Sequence, residues 1–259
     1  MSNVHILFTL LNPSRLKASL LVFQSIRIGF PTANIIVYVN GLQYNNCRPL
    51  IEAVFQGAKA KHIYIGLHSH GQWIEWLLAR ESKPFWICDS DTVFFDKVED
   101  WFAGSPELYA GRFEPQFWEA WTQTIHMARI HPSLVWFNPQ PLRAAIRAWP
   151  GKHEFFSTVQ FNPIQWFVVP GIGCDLRFYD TLAGLYHAIG GRVFSEKENE
   201  AYGHLFCGTY IHLISGHHPN LREKQDAVLE KPELAKSLWK EQQQWYRENA
   251  VKPAVKPGC

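Results

Sequence analysis

Short apolar runs recur through the first hundred positions, and between them lie stretches with helical spacing. Val4 to Leu11 is apolar and reads as a first strand. Asn12-Pro13-Ser14 breaks it. Ser14 can cap a helix running to Ile28, with Leu16, Leu20, Leu21 and Phe23 on its apolar face. Gly29, followed by Pro31, is placed to close that helix as a left-handed C′ residue. Asn34 to Asn40 is near-continuously apolar, the pattern of a parallel strand covered on both faces. Gly41 turns the chain out. A helix around Pro49 to Ala58 and a strand at His62 to Gly66 are expected next. Gln72 to Arg80 then groups Trp73, Trp76 and Leu77 on a further helix. A third apolar run, from Pro84, ends abruptly at Asp89. This alternation predicts an α/β chain, with a parallel sheet joined by right-handed crossovers.

Beyond Asp96 the pattern is looser. Asp96 to Ser105 is acidic and amphipathic, Leu108 to Phe113 reads as a strand, and Pro115 to Ala128 is rich in aromatics. Ser133 to Asn138 has the composition of a buried strand, and Pro141 to Trp149 that of a helix. Trp166 to Pro170 is a short apolar strand, followed by the loop Gly171-Ile172-Gly173-Cys174-Asp175. Phe178 to Ile189 is expected as a helix stopped by Gly190-Gly191, and Tyr210 to Ser215 as the last strand. Leu221 to Asn249 is charged and helical, and Val251 to Cys259 reads as a tail. There is no internal repeat and no low-complexity linker.

Composition narrows the class. The chain has 259 residues, 47% hydrophobic and 19% charged, enough apolar material for a folded catalytic or ligand-binding domain. Its 11 tryptophans are mostly core material. A net charge of +2 argues against a dedicated nucleic-acid binder. No apolar run approaches membrane-spanning length, so no integral membrane segment is expected. The start, Met1-Ser2-Asn3-Val4-His5, lacks the basic region of a secretory signal. Five cysteines with no C-x-x-C pair indicate a reducing compartment, and the expected location is the cytoplasm.

The candidate chemistry sits at Asp89-Ser90-Asp91. Two carboxylates one residue apart, closing an apolar strand, are costly unless something compensates them. A divalent cation does so, since hard oxygen ligands suit Mn²⁺ or Mg²⁺. Strand ends are also where open α/β sheets bind ligands. The alternative is an Asx-turn with both acids solvated.

Two opening strand–helix units, an apolar strand ending in Asp-x-Asp, and the later element Ile211-His212-Leu213-Ile214-Ser215-Gly216 together resemble the GT-A nucleotide-sugar glycosyltransferases, loosely the glycogenin-like branch. The resemblance covers roughly residues 4 to 218. It implies a GT-A domain over 1–220, with a mostly parallel Rossmann-like sheet flanked by helices. The nucleotide-binding half would lie at about 1–100 and the acceptor half at about 101–220, before a C-terminal helix and tail at 221–259. It further implies Asp89, Asp91 and His212 as ligands of Mn²⁺ or Mg²⁺, which bridges the diphosphate of a nucleotide diphospho-sugar, UDP-sugar by default. The Lys-Pro-Trp usual after the glycine is replaced by His217-His218-Pro219, which keeps His217 as an alternative ligand. By the same resemblance Thr9 and Asn40, at the first two strand ends, would line the base. Ser90 lies within the motif that holds the phosphorylated ligand.

Softer candidates complete the reading. Arg15 is placed to contact phosphate, or simply to face solvent on its helix. His68-Ser69-His70-Gly71 precedes a helix whose N-terminus can face a diphosphate, His70 included, or is a capping turn. Asp175 and Asp180 are the candidate carboxylates for the acceptor hydroxyl, with a helix N-cap as the alternative for Asp180. Arg112 and Glu114 are candidates for donor sugar hydroxyls, and Trp118 or Trp166 for stacking on an acceptor ring. The acceptor itself stays open between glycan, lipid head group, protein and small molecule. A haloacid-dehalogenase-like phosphatase fits Asp89-Ser90-Asp91-Thr92-Val93 literally, with Asp89 as nucleophile. It needs a later paired-acid motif and an earlier place in the chain. A sugar nucleotidyltransferase would need a Gly-rich phosphate loop after the first strand. A non-enzymatic carbohydrate-binding module is the remaining alternative.

Overall fold

A computed structural model describes residues 2–9, 24–40, 70–119, 124–150, 167–170, 176–205 and 220–249. In chain order the elements are β1 (Asn3–Thr9), α1 (24–29), β2 (Asn34–Asn40), α2 (His70–Arg80), β3 (Phe85–Asp89) and β4 (Thr92–Phe94). There follow β5 (Tyr109–Glu114), β6 (Phe117–Glu119), β7 (Thr124–His126), β8 (Arg129–Phe137), α3 (Pro139–Ala148), β9 (Phe167–Pro170) and β10 (Leu176–Tyr179). The chain closes with α4 (Ala183–Ile189), β11 (Arg192–Val193), α5 (Glu196–Asn199), β12 (Tyr202–His204), α6 (Leu221–Glu230) and α7 (Ala235–Asn249). The architecture is mixed α/β. Among the described residues no helix is long and apolar enough to cross a membrane.

The chain folds into two interleaved compact units. One comprises Met1–Gly66, Trp86–Ser105 and Ser195–Asn249; the other comprises Leu67–Phe85, Pro106–Phe194 and Ala250–Cys259.

In the first unit the strands run in the order β2-β1-β3. β1 and β2 pair in parallel from Asn3↔Asn34 to Thr9↔Asn40. Val4, Ile6, Ile35 and Val37 are all but inaccessible, as near-continuous apolar strands require. Trp86 of β3 anchors an aromatic core with ring centroids 5.5 Å from Phe30, 5.8 Å from Phe102 and 6.3 Å from Trp101. Gly29 was expected to end its helix in a left-handed conformation. It is instead the last helical residue and has no positive φ. A glycine is needed because a Cβ there would lie 2.4 Å from the Phe94 ring. β4 and β12 form an antiparallel two-stranded ribbon, and α6 and α7 belong to this same unit. The helical region expected from Leu221 to Asn249 is broken at Pro232, where a single 3₁₀ turn separates α6 from α7.

In the second unit β11-β5-β8 lie in order, β11 parallel and β8 antiparallel to β5. β8 is longer than its apolar run suggests. The register jumps from Gly111↔Val135 to Arg112↔His131, so Pro132, Ser133 and Leu134 have no ladder partner on β5. A proline, lacking a backbone N–H, fits there. A second sheet runs β6-β7-β10-β9. Here the helix expected over Phe178 to Ile189 is corrected. Leu176-Arg177-Phe178-Tyr179 is a strand, paired in parallel with β7 and antiparallel with β9. Helix α4 starts later, at Ala183, so Asp180 sits in the preceding turn and not at an N-cap; Leu182 holds that cap with φ 70°.

Candidate metal centre

β3 delivers Asp89 at its last residue, and a two-residue turn places Ser90 and Asp91 before β4 begins. The turn ends the continuously buried strand just where the motif falls. β4 then pairs with β12 so that Thr92 lies opposite His204. The consequence is a three-residue cluster. The His204 Nε2 atom is 2.7 Å from an oxygen of Asp91 and 3.6 Å from one of Asp89. One donor atom from each residue lies within 4.8 Å of the others, and among the described residues this is the group able to hold a metal ion. The side chains are 13% (Asp89), 19% (Asp91) and 7% (His204) exposed, sheltered yet reachable from solvent.

The donor set is chemically coherent. Two carboxylates and an imidazole offer two hard oxygens and one borderline nitrogen, which suits Mn²⁺ well and Mg²⁺ through its oxygens. The neighbouring Cys88 is not part of it. Its thiol is buried and donates toward the Asp89 carbonyl at 3.2 Å. Burial first, and then the Asp89 charge, push its pKa well above the ordinary thiol value, so it stays protonated.

The other expected residues fall into three groups. Thr9 and Asn40 sit side by side, paired in register at the ends of β1 and β2. Ser90 is half-buried in the motif turn. Arg15, Asp175, His212, His217 and Trp166 lie outside the described residues. His70 opens α2 in the second unit, its ring 6.1 Å from that of Trp73.

Asp180 is engaged elsewhere in the second unit. Its carboxylate accepts from the Thr181 amide at 2.7 Å and pairs with Arg129 at 2.5 Å. The same guanidinium pairs with Glu114 at 2.5 Å, and it lies near the Thr181 carbonyl at 3.5 Å. Glu114, read from sequence as a sugar-binding candidate, is thus a buried ion-pair partner. Arg112 stands two residues earlier on β5 and is half-buried.

His204 was not singled out from the sequence. It lies on a three-residue strand with no apolar run to announce it, and its relation to Asp91 exists through the β4–β12 pairing alone. The available signal was Tyr202-Gly203-His204, a glycine between two ring-bearing residues.

No family model matches the chain, and no curated protein matches it. Among solved structures it is similar to the galactosyltransferase LgtC in complex with donor and acceptor sugar analogues. Identity is 10%, the match covers 86% of this chain and 82% of that one, and the TM-score is 0.42. It is also similar to the bifunctional glycosyltransferase WbbM, at 14% identity over 64% of this chain and 39% of that one, with a TM-score of 0.39. A third is the mannosyltransferase PcManGT from Pyrobaculum calidifontis, in complex with GDP-Man and Mn²⁺. There identity is 11% over 54% of this chain and 46% of that one, with a TM-score of 0.37. These neighbours are GT-A glycosyltransferases, the family whose motif order the sequence resembles. A likeness of this degree fixes no activity.

Proposed function

We propose that this protein is a metal-dependent glycosyltransferase that moves a sugar from a nucleotide diphospho-sugar to an acceptor hydroxyl. The observation that carries the reading is the convergence of Asp89, Asp91 and His204 at the end of β3. Mn²⁺ or Mg²⁺ bound there supplies Lewis-acid charge to a departing diphosphate. The two carboxylates hold the cation at the strand end. His204 is the third ligand by its geometry, and His212 or His217 is a further donor. Thr9 and Asn40 take the base and ribose side, with UDP as the default nucleotide. Asp175 is the proposed carboxylate toward the acceptor hydroxyl. Asp180 serves the same half through its bond to Arg129 rather than as a free base. A cytoplasmic location goes with this reading, given cysteines without a pairing pattern.

Calorimetric titration with UDP and with GDP, first with Mn²⁺ and then with EDTA, tests it. Metal-dependent binding of one nucleotide is expected. If neither binds and the protein hydrolyses a generic phosphate ester with Mg²⁺, the transferase reading falls to the phosphatase.

A further inference from the structure

Among the described residues α6 and α7 contribute no ligand to the candidate centre, yet both brace the chain around His204. β12 is three residues long, and its ladder partner is the equally short β4. A two-stranded ribbon of this size holds little by itself. Two helical side chains brace it on either side of the histidine. Before it, the backbone of Gly203 lies against Trp239 of α7, so close that a Cβ would meet the indole Cγ at 2.9 Å. The indole N–H is fixed in turn by donating to the Asn199 carbonyl at 3.2 Å. After it, the Leu205 carbonyl accepts a buried 2.7 Å hydrogen bond from Gln225 Nε2 of α6. Side chains alternate along a strand. A Gly203 side chain would point at Trp239 and Phe95, so the His204 ring leaves the opposite face, toward Asp91.

We infer that Gln225 and Trp239 are positioning residues for His204, so that the C-terminal helices set the metal affinity of a site to which, among the described residues, they give no ligand. The inference rests on the proposed metal centre. A ligand held loosely must be ordered when the ion binds, and that cost appears directly in affinity. Partners hydrogen-bonded directly to metal ligands are typically worth about 10–100-fold in affinity, and side chains that brace the ligand's backbone from one step further out belong at the lower end of that range.

The test is Mn²⁺ titration of the full chain by electron paramagnetic resonance, with thermal midpoints measured in EDTA alongside. Gln225→Met removes the donor at nearly constant volume, and Trp239→Leu removes the flat ring. Each is expected to weaken Mn²⁺ binding about tenfold. Trp239→Phe keeps a ring against Gly203 and is expected to bind as the wild type does. Glu241→Gln breaks the exposed Lys224–Glu241 pair between the same two helices and is expected to leave affinity unchanged. A wild type that binds no Mn²⁺ overturns the metal centre, and the inference with it. Unchanged affinity in Gln225→Met and Trp239→Leu, with the wild type binding, overturns the inference alone. So does an equal loss in Glu241→Gln, since it would trace to helix packing in general. Should Trp239→Leu fail to fold, Gln225→Met decides.

Discussion

Each unit of this protein builds a cluster around two carboxylates, and the two clusters are completed differently. In the second unit Glu114 and Asp180 share the guanidinium of Arg129, a cation fixed in the chain. In the first unit Asp89 and Asp91 meet His204, which is a cation when protonated and a metal ligand when not. A guanidinium cannot lose its proton and presents a rigid fork of donors, so the second cluster is finished on folding. An imidazole gives up its proton near neutrality and then offers a lone pair to an ion. A pair of acids is therefore neutralised within the chain beside arginine and left able to take up an ion beside histidine.

The largest expected effect comes from removing the built-in cation. Arg129 and Glu114 are 7% and 8% exposed, so Arg129→Met strands the Glu114 carboxylate in a sheltered place. The expected loss is about 3–5 kcal/mol of stability, read from urea unfolding midpoints. Asp91→Asn, by contrast, removes one of two like charges at the turn. In EDTA it is expected to cost no more than about 1 kcal/mol, because relief of that repulsion offsets a weakened bond to His204. Should Arg129→Met cost no more than Asp91→Asn, the distinction between the clusters is lost.

Adding the external cation sharpens the comparison at a smaller scale. Mn²⁺ at about 100 times its dissociation constant is expected to stabilise the wild type by about 2.7 kcal/mol, reversibly with EDTA. Asp91→Asn and His204→Gln should lose most of that gain, whereas Arg129→Met should keep it. Thermal midpoints with and without Mn²⁺ give the answer. Equal metal stabilisation in all three variants would place the ion somewhere other than Asp89, Asp91 and His204.

The asymmetry also explains how much could be read in advance. Asn34 to Asn40 and the run ending at Asp89 were legible because buried strands are continuous apolar stretches bounded by polar turns. The two acids were legible for the same reason, being conspicuous at the end of such a run. Their partner was not. His204 and Arg129 reach their carboxylates through strand pairing and turn geometry, which leave no periodic trace in the chain. Phe178 and Tyr179 were misread because only Asp180-Thr181-Leu182 separates a four-residue strand from the helix after it, with no glycine or proline to mark the break. Gly29 was conspicuous as a helix stop, whereas its role is to admit the Phe94 ring.

The smallest effect separates the units by acid. His187 of α4 packs edge-on against Tyr179 and Tyr186, at 5.6 and 6.0 Å between centroids. Partial burial lowers its pKa below the usual 6.5, a bond to the Ala128 backbone works against the shift, and the Arg177 charge adds to it. The sign follows from linkage. The folded ring takes a proton less readily than the unfolded one, so its contribution is fully present above pH 6.5 and is lost as pH falls through the folded value. In EDTA, where metal release from the first unit cannot contribute, the wild-type thermal midpoint should therefore fall as pH is lowered below 6.5. His187→Gln, which cannot take up that proton, should show a shallower fall over the same range. Identical slopes in the two proteins would mean that the ring stays as readily protonated after folding as before.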